Sequence, residues 1–300
     1  MPGDTSGRTG APYDGDPSAC MKVLDAMRWA EGVAFVHAGI TVGIRVSGAG
    51  MLDRIGTAIP PGARLVPAGN VDFLYSVTKG NGSDHEAALY TVYSDTVPLV
   101  QTPDPDGVAA AIAEDLGHLV HQTERGRLII RAGSVGWEGK AILVLGPRSS
   151  GRSTLVAGLL WAGATYFGDE LTILSPEGEV YPFVRPLSLR CGVTAEPMRL
   201  ADVGATAGTG PVPIGAVVAT VYRPGATWVP KGLGLADAAG MLAERSLTGQ
   251  RDPAALRSIF ERMLKGVRRF SGDRGEAGEV IFRILSGFST VFGGERPAHV

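Results

Sequence analysis

Along the first third of the chain, apolar positions come in short runs; further on they stretch into helical periods. Residues 33–36, 40–46, 71–77 and 87–93 are alternating or apolar segments. They are punctuated by Pro60-Pro61-Gly62 and Lys79-Gly80-Asn81-Gly82, turn chemistry that sets positive or fixed φ values. Residues 21–125 therefore read as a strand-rich α+β region. Asp84 and His85 fall at the tip of one predicted hairpin and read as solvated loop residues.

The spacing of Val108, Ile112, Leu116 and Leu119 predicts an amphipathic helix over 106–122, with Asp104 or Asp106 capping its first N–H groups. His118 and His121 lie three apart on it, and with no third ligand in the pattern they read as surface histidines. Residues 127–135 and 141–145 then predict two strands joined by a tight turn at 136–140. Beyond them the pattern predicts a helix over 153–163, strands over 164–167 and 216–222 with an apolar stretch at 171–174 between them, helices over 235–247 and 252–268, and a last strand over 280–285. Residues 204–215, almost free of charge and rich in Gly, Ala, Thr and Pro, read as a mobile connection or lid. Arg257, Arg262, Lys265, Arg268 and Arg269 lie off the buried stripe of the 252–268 helix and read as a solvated basic face.

Composition narrows the class. Of 300 residues, 44% are hydrophobic and 19% charged, the balance of a soluble globular protein. With 28 basic against 30 acidic residues there is no basic field, so neither nucleic acid nor a membrane is an expected partner. Cys20 and Cys191 have no pairing pattern and read as reduced thiols in a cytoplasmic protein. Residues 1–20 are polar and Gly/Pro-rich, which predicts a disordered tail.

The chemistry concentrates where the second predicted strand ends. Gly146, Pro147, Arg148, Ser149, Ser150, Gly151, Arg152, Ser153 and Thr154 follow the spacing of the phosphate-binding loop G-x-x-x-x-G-K-[ST], with Arg152 in the place of Lys. Such a loop points backbone N–H groups into one hollow at a helix N-terminus, where polyphosphate binds. Arg152 would bind phosphate as a planar fork rather than a point charge, and Ser153 would offer its hydroxyl to Mg²⁺. The same residues also suit a Gly/Ser turn that binds nothing. Asp169 and Glu170 end the next predicted strand, where one carboxylate can accept or orient a hydroxyl proton and its neighbour can help hold a metal.

Residues 128–135, 139–147, 151–154, 168–170 and 181–190 resemble the C-terminal domain of the HPr serine kinase/phosphorylase family, whose nucleotide-binding core is of the phosphoenolpyruvate carboxykinase type. The likeness spans residues 125–290. It implies an α/β P-loop domain over 126–300 behind the strand-rich region, and an ATP- and Mg²⁺-dependent kinase acting on a serine-like hydroxyl of a peptide, protein or small metabolite. By that resemblance Asp169 is the base, Glu170 and Ser153 attend the metal, and Arg152 stabilises the transferred phosphoryl group. Arg185, Arg190 and Arg131 are candidate substrate contacts, Arg131 standing where many relatives have His. Relatives of this kind often form homo-oligomers. The Gly-rich segment of the phosphorylase half has no counterpart, so HPr itself is not the expected acceptor. The competing expectation is a catalytically degenerate nucleotide-binding protein with a regulatory or scaffold role.

Overall fold

The computed structural model describes residues 24–67, 69–80, 89–95, 97–147, 150–185, 187–191, 194–198, 200–247 and 252–289. The predicted tail over residues 1–20 with Cys20, and Asp84, His85, Arg148 and Ser149, lie outside these. Among the described residues the chain builds two multi-stranded sheets and a separate hairpin.

The first sheet takes β1 (Glu31–His37), β2 (Ile40–Val46), β3 (Arg64–Val66), β4 (Phe73–Lys79), β5 (Tyr90–Ser94) and β6 (Val97–Thr102) in the order β3-β1-β2-β4-β5-β6. Its pairs are antiparallel except β2 with β4. A short helix, α1 (Met51–Arg54), is followed in chain order by the long α2 (Pro105–Glu124). The Asp104 carboxylate accepts from the Asp106 N–H, and Pro105 occupies a first-turn position where no N–H is needed. Val108, Ile112, Leu116 and Leu119 of α2 bury against Phe35, Ile44, Tyr75 and Val92 of the sheet, as the helical spacing requires.

The second sheet begins with β7 (Leu128–Ile130), β8 (Gly133–Trp137), β9 (Lys140–Leu145), β10 (Thr165–Gly168), β11 (Thr172–Leu174) and β12 (Glu179–Tyr181). The hairpin β13 (Leu187–Cys191) and β14 (Thr194–Met198) stands apart, and β15 (Val212–Tyr222), β16 (Lys231–Gly232) and β17 (Arg268–Arg274) complete the sheet. Strand β15 is its spine: it runs parallel to β9 on one side and to β17 on the other. The β8–β9 pair is the predicted antiparallel hairpin.

Alternation along β9 explains the layers. Ile142 and Val144 face one core with helices α3 (Arg152–Trp161) and α6 (Ala277–Ser289); Ala141, Leu143 and Leu145 face another with α4 (Leu235–Glu244) and α5 (Pro253–Met263). A run of apolar residues without polar alternation is what a strand covered on both faces demands. Ile129, Leu171 and Ile173 join the core of the first sheet, so the two sheets meet through β7 and β11.

Four expectations need correction. Residues 127–135 are not one strand: the chain breaks at Arg131-Ala132, sending β7 to pair with β11 and β8 with β9. The 252–268 helix ends at Met263, and β17 begins at Arg268, so Arg268 and Arg269 donate to the carbonyls of Gly287 and of Leu264 and Val267 instead of forming a basic face. Residues 280–285 lie within α6, because Val280, Ile281, Ile284, Leu285 and Phe288 recur with helical period. Residues 204–215 are not all connection: β15 starts at Val212, and before it the Gly208 N–H donates to the Tyr166 carbonyl and the Tyr166 N–H to the Thr206 carbonyl, both at 2.8 Å.

Candidate functional site

Antiparallel pairing brings the parts together. Gly133 sits opposite Val144, near the end of β9, and Gly168 at the end of β10 sits opposite Ser134. The loop after β9 and the Asp169-Glu170 turn after β10 therefore share one end of the sheet.

Two glycines shape the loop by exclusion. A Cβ on Gly146 would lie 2.2 Å from Ser150 Oγ and 2.7 Å from the Thr220 carbonyl oxygen, so only glycine lets the chain fold back against β15. Gly151, at φ +73°, precedes the first turn of α3, and its carbonyl accepts from the Leu155 N–H at 3.0 Å. Ser150 is buried, and its Oγ meets no hydrogen-bond partner among the described residues. Arg152 and Ser153 are half-buried and Thr154 is exposed.

The carboxylate turn is equally tight. A Cβ on Gly168 would lie 2.2 Å from the Leu171 carbonyl oxygen. Thr172 Oγ1, 3.0 Å from the Ala132 carbonyl oxygen and 3.0 Å from Ser134 Oγ, pins the far side of the turn. Asp169 is 3% exposed, and neither carboxylate oxygen has a hydrogen-bond partner among the described residues. Burial pushes its proton affinity up, while the Arg152 guanidinium favours the charged form. The Ser153 hydroxyl acts in the same direction as Arg152, without meeting full hydrogen-bond geometry. Glu170 is pushed up to about 7 by burial and by Asp95, against the pull of Arg152, Arg185 and Arg131.

Arg152 does not reach outward. Its Nε donates to the Asp169 backbone carbonyl at 3.1 Å, and its Cγ lies over Gly133, where a Cβ would come within 3.5 Å of it. The structure thus brings Arg152, Ser153, Asp169 and Glu170 into one constellation.

Arg131 and Arg185 adjoin it but are held by the first sheet and its helix. Arg131 Nη1 donates to Asp95 Oδ2 at 2.5 Å and Nη2 to the Asp72 carbonyl. Arg185 Nη2 donates to Asp115 Oδ2 at 2.5 Å, and the same oxygen accepts from the Tyr75 hydroxyl at 2.7 Å. Burial works against the charge on Arg185, yet Asp115, Tyr75 and Glu170 outweigh it. Arg190 lies on β13, and its side chain is outside the described residues.

Two contributors were not legible in the sequence. Asp95, at φ +52° in the turn after β5, brings a carboxylate from the first sheet to Glu170; an Asp in a predicted strand region carries no signal of that. Arg274, at the end of β17, donates to the Gly151 carbonyl at 2.6 Å from behind the loop, a placement that depends on the pairing of β17 with β15. A separate groove of about 500 Å³, lined by Trp137, Lys140, Phe167 and Thr209 among others, lies around the β8–β9 turn at the opposite end of β9.

No protein family model matches the sequence, and no curated protein matches it. Among solved structures, the Hpr(Ser) kinase/phosphatase from Coxiella burnetii aligns with 53% of this chain and 93% of its own, at 11% identity and a TM-score of 0.29. At that score the likeness has no bearing on how the site is read. Among the described residues, no helix is long and apolar enough to cross a membrane.

Proposed function

We propose that residues 146–154 with Asp169 and Glu170 form the phosphate and metal site of an ATP-dependent phosphotransferase acting on a hydroxyl. The observation that carries this is Asp169: a carboxylate 3% exposed, with neither oxygen hydrogen-bonded among the described residues, facing Arg152 and Ser153 at a helix N-terminus. A buried carboxylate left in that state destabilises the fold, and a cation or a donated proton would relieve it.

The donor set suits Mg²⁺, a hard cation that takes oxygen ligands and keeps several waters. Ser153 and Glu170 would hold it, and when bound it neutralises phosphate charge. The N–H groups of the loop and the start of α3 would cradle the phosphates. Arg152 would stabilise charge on the transferred group. Asp169 would take the proton as the acceptor oxygen bonds to the γ-phosphorus and the bridging oxygen departs with ADP; burial raises its proton affinity towards the range a base at neutral pH needs. The acceptor is a hydroxyl of a peptide, protein or small molecule.

A second reading has its own support. Arg152 is bonded to the Asp169 carbonyl, which draws the cation away from the hollow and suits a nucleotide-binding protein that has lost transfer.

Phosphoryl transfer by the wild type separates the two, and the substitution Asp169→Asn then tests the assigned base. For a phosphotransferase, it abolishes ATP-dependent transfer and leaves nucleotide affinity within a few-fold. Transfer that survives the substitution contradicts the assigned role.

A further inference from the structure

Arg274 is 1% exposed, yet it forms no ion pair among the described residues. Its Nη2 donates to the Gly151 carbonyl at 2.6 Å and lies 3.4 Å from that of Ser150; its Nη1 donates to the Gly275 carbonyl at 2.9 Å. Its Nε has no hydrogen-bond partner among the described residues. Its guanidinium carbon sits 5.5 Å from the centre of the Tyr222 ring, and the Tyr222 hydroxyl donates to Glu276 Oε1 at 2.6 Å. Burial works against its charge, with Glu276 and Tyr222 the groups that favour it.

Peptide planarity turns this into a statement about the loop. In a trans peptide the N–H points opposite to the C=O of the same unit. Drawing the Ser150 and Gly151 carbonyls towards Arg274 therefore aims the N–H groups of Gly151 and Arg152 out of the opposite side of the loop. The fit leaves no slack: a Cβ on Gly151 would lie 2.5 Å from Arg274 Nη2. The Gly151 carbonyl is thereby shared between Arg274 and the first hydrogen bond of α3.

We propose that Arg274 is the positioning residue of the anion site, holding the 150–152 peptides in place before a ligand arrives, and placing behind them a buried positive charge that a polyphosphate complements. The proposal rests on the reading of the loop as a phosphate site. Arg274 makes this cation independent of Arg152, which is engaged with Asp169 on the other side. Ser150 Oγ, buried against Gly146, has no partner among the described residues at the same turn. The ligand class is a di- or triphosphate, bound without the metal.

The test is calorimetric titration of inorganic pyrophosphate into the full chain in magnesium-free buffer, for wild type, Arg274→Met and Arg274→Lys, with melting temperatures recorded for each. Wild type binds, Arg274→Met loses affinity by roughly tenfold or more, and Arg274→Lys recovers part of it, since an ammonium keeps the charge but cannot hold two carbonyls as a fork does. Equal affinity in wild type and Arg274→Met overturns the positioning role and leaves the phosphate site standing. Absence of binding to wild type in this buffer overturns this proposal, and titration with ATP and Mg²⁺ then decides whether the phosphate site falls with it. Should Arg274→Met fail to fold, Arg274→Lys decides: affinity equal to wild type at equal melting temperature overturns the role.

Discussion

Arg152 Nε and the Asp169 carbonyl oxygen, 3.1 Å apart, tie the start of α3 to the carboxylate turn after β10. The bond uses the backbone of Asp169 and leaves its carboxylate buried beside the guanidinium that favours its charge. Loop and carboxylate pair thus form one unit in which a change on either side is felt by the other.

Glu170 makes stability depend on pH in a defined direction. Its folded value is about 7 against an ordinary 4.5, so the folded chain keeps a proton that the unfolded chain has lost. Stability is full below about 4.5 and falls as pH rises to about 7, by up to about 3 kcal/mol for this group. Urea denaturation across that window should show the decline, and Glu170→Gln should flatten it by about one proton's worth. An unchanged slope in the variant assigns the proton elsewhere.

Breaking the pair between α2 and the segment after β12 should be costly. Asp115→Asn leaves the Arg185 guanidinium buried beside a neutral amide and is expected to destabilise by about 3–5 kcal/mol. Arg185→Met combined with it should cost less than the two single changes together. Additive losses in chemical denaturation would show that the two side chains act independently.

Gly146→Ala puts a methyl group 2.2 Å from Ser150 Oγ and is expected to destabilise by about 1–3 kcal/mol as well as distort the loop. Gly117→Ala, in the interior of α2 with no atom within 4 Å of the new Cβ, should instead stabilise by roughly 0.5–1 kcal/mol. Thermal melts of the two variants test the contrast. Loss of the same size in both would mean that the crowding at Ser150 does not set the cost at Gly146.

What was legible in the sequence follows from what local pattern can carry. The α2 stripe, the β8–β9 hairpin, the strand before Gly146 and the helix after Gly151 are set by short-range periodicity and turn chemistry, and they form as read. Helix α6 was missed because its apolar residues crowd into adjacent pairs that also suit a buried strand, and β17 because its Arg-rich start continues the polar face of the helix before it. Of the site, the loop and the Asp169-Glu170 pair were visible as motifs. The neighbours from a distance, Asp95, Asp115 and Arg274, were not, since only sheet pairing and the packing of α2 bring them there.

The measurement that bears most directly on the central claim is titration of the purified chain with ATP, with and without Mg²⁺, beside an Arg152→Ala variant. A working phosphate and metal site binds ATP more tightly with Mg²⁺, and loses roughly tenfold or more in affinity when Arg152 is removed. ATP binding that is absent, or indifferent to both the metal and Arg152, contradicts the assignment of residues 146–154, Asp169 and Glu170 to a nucleotide.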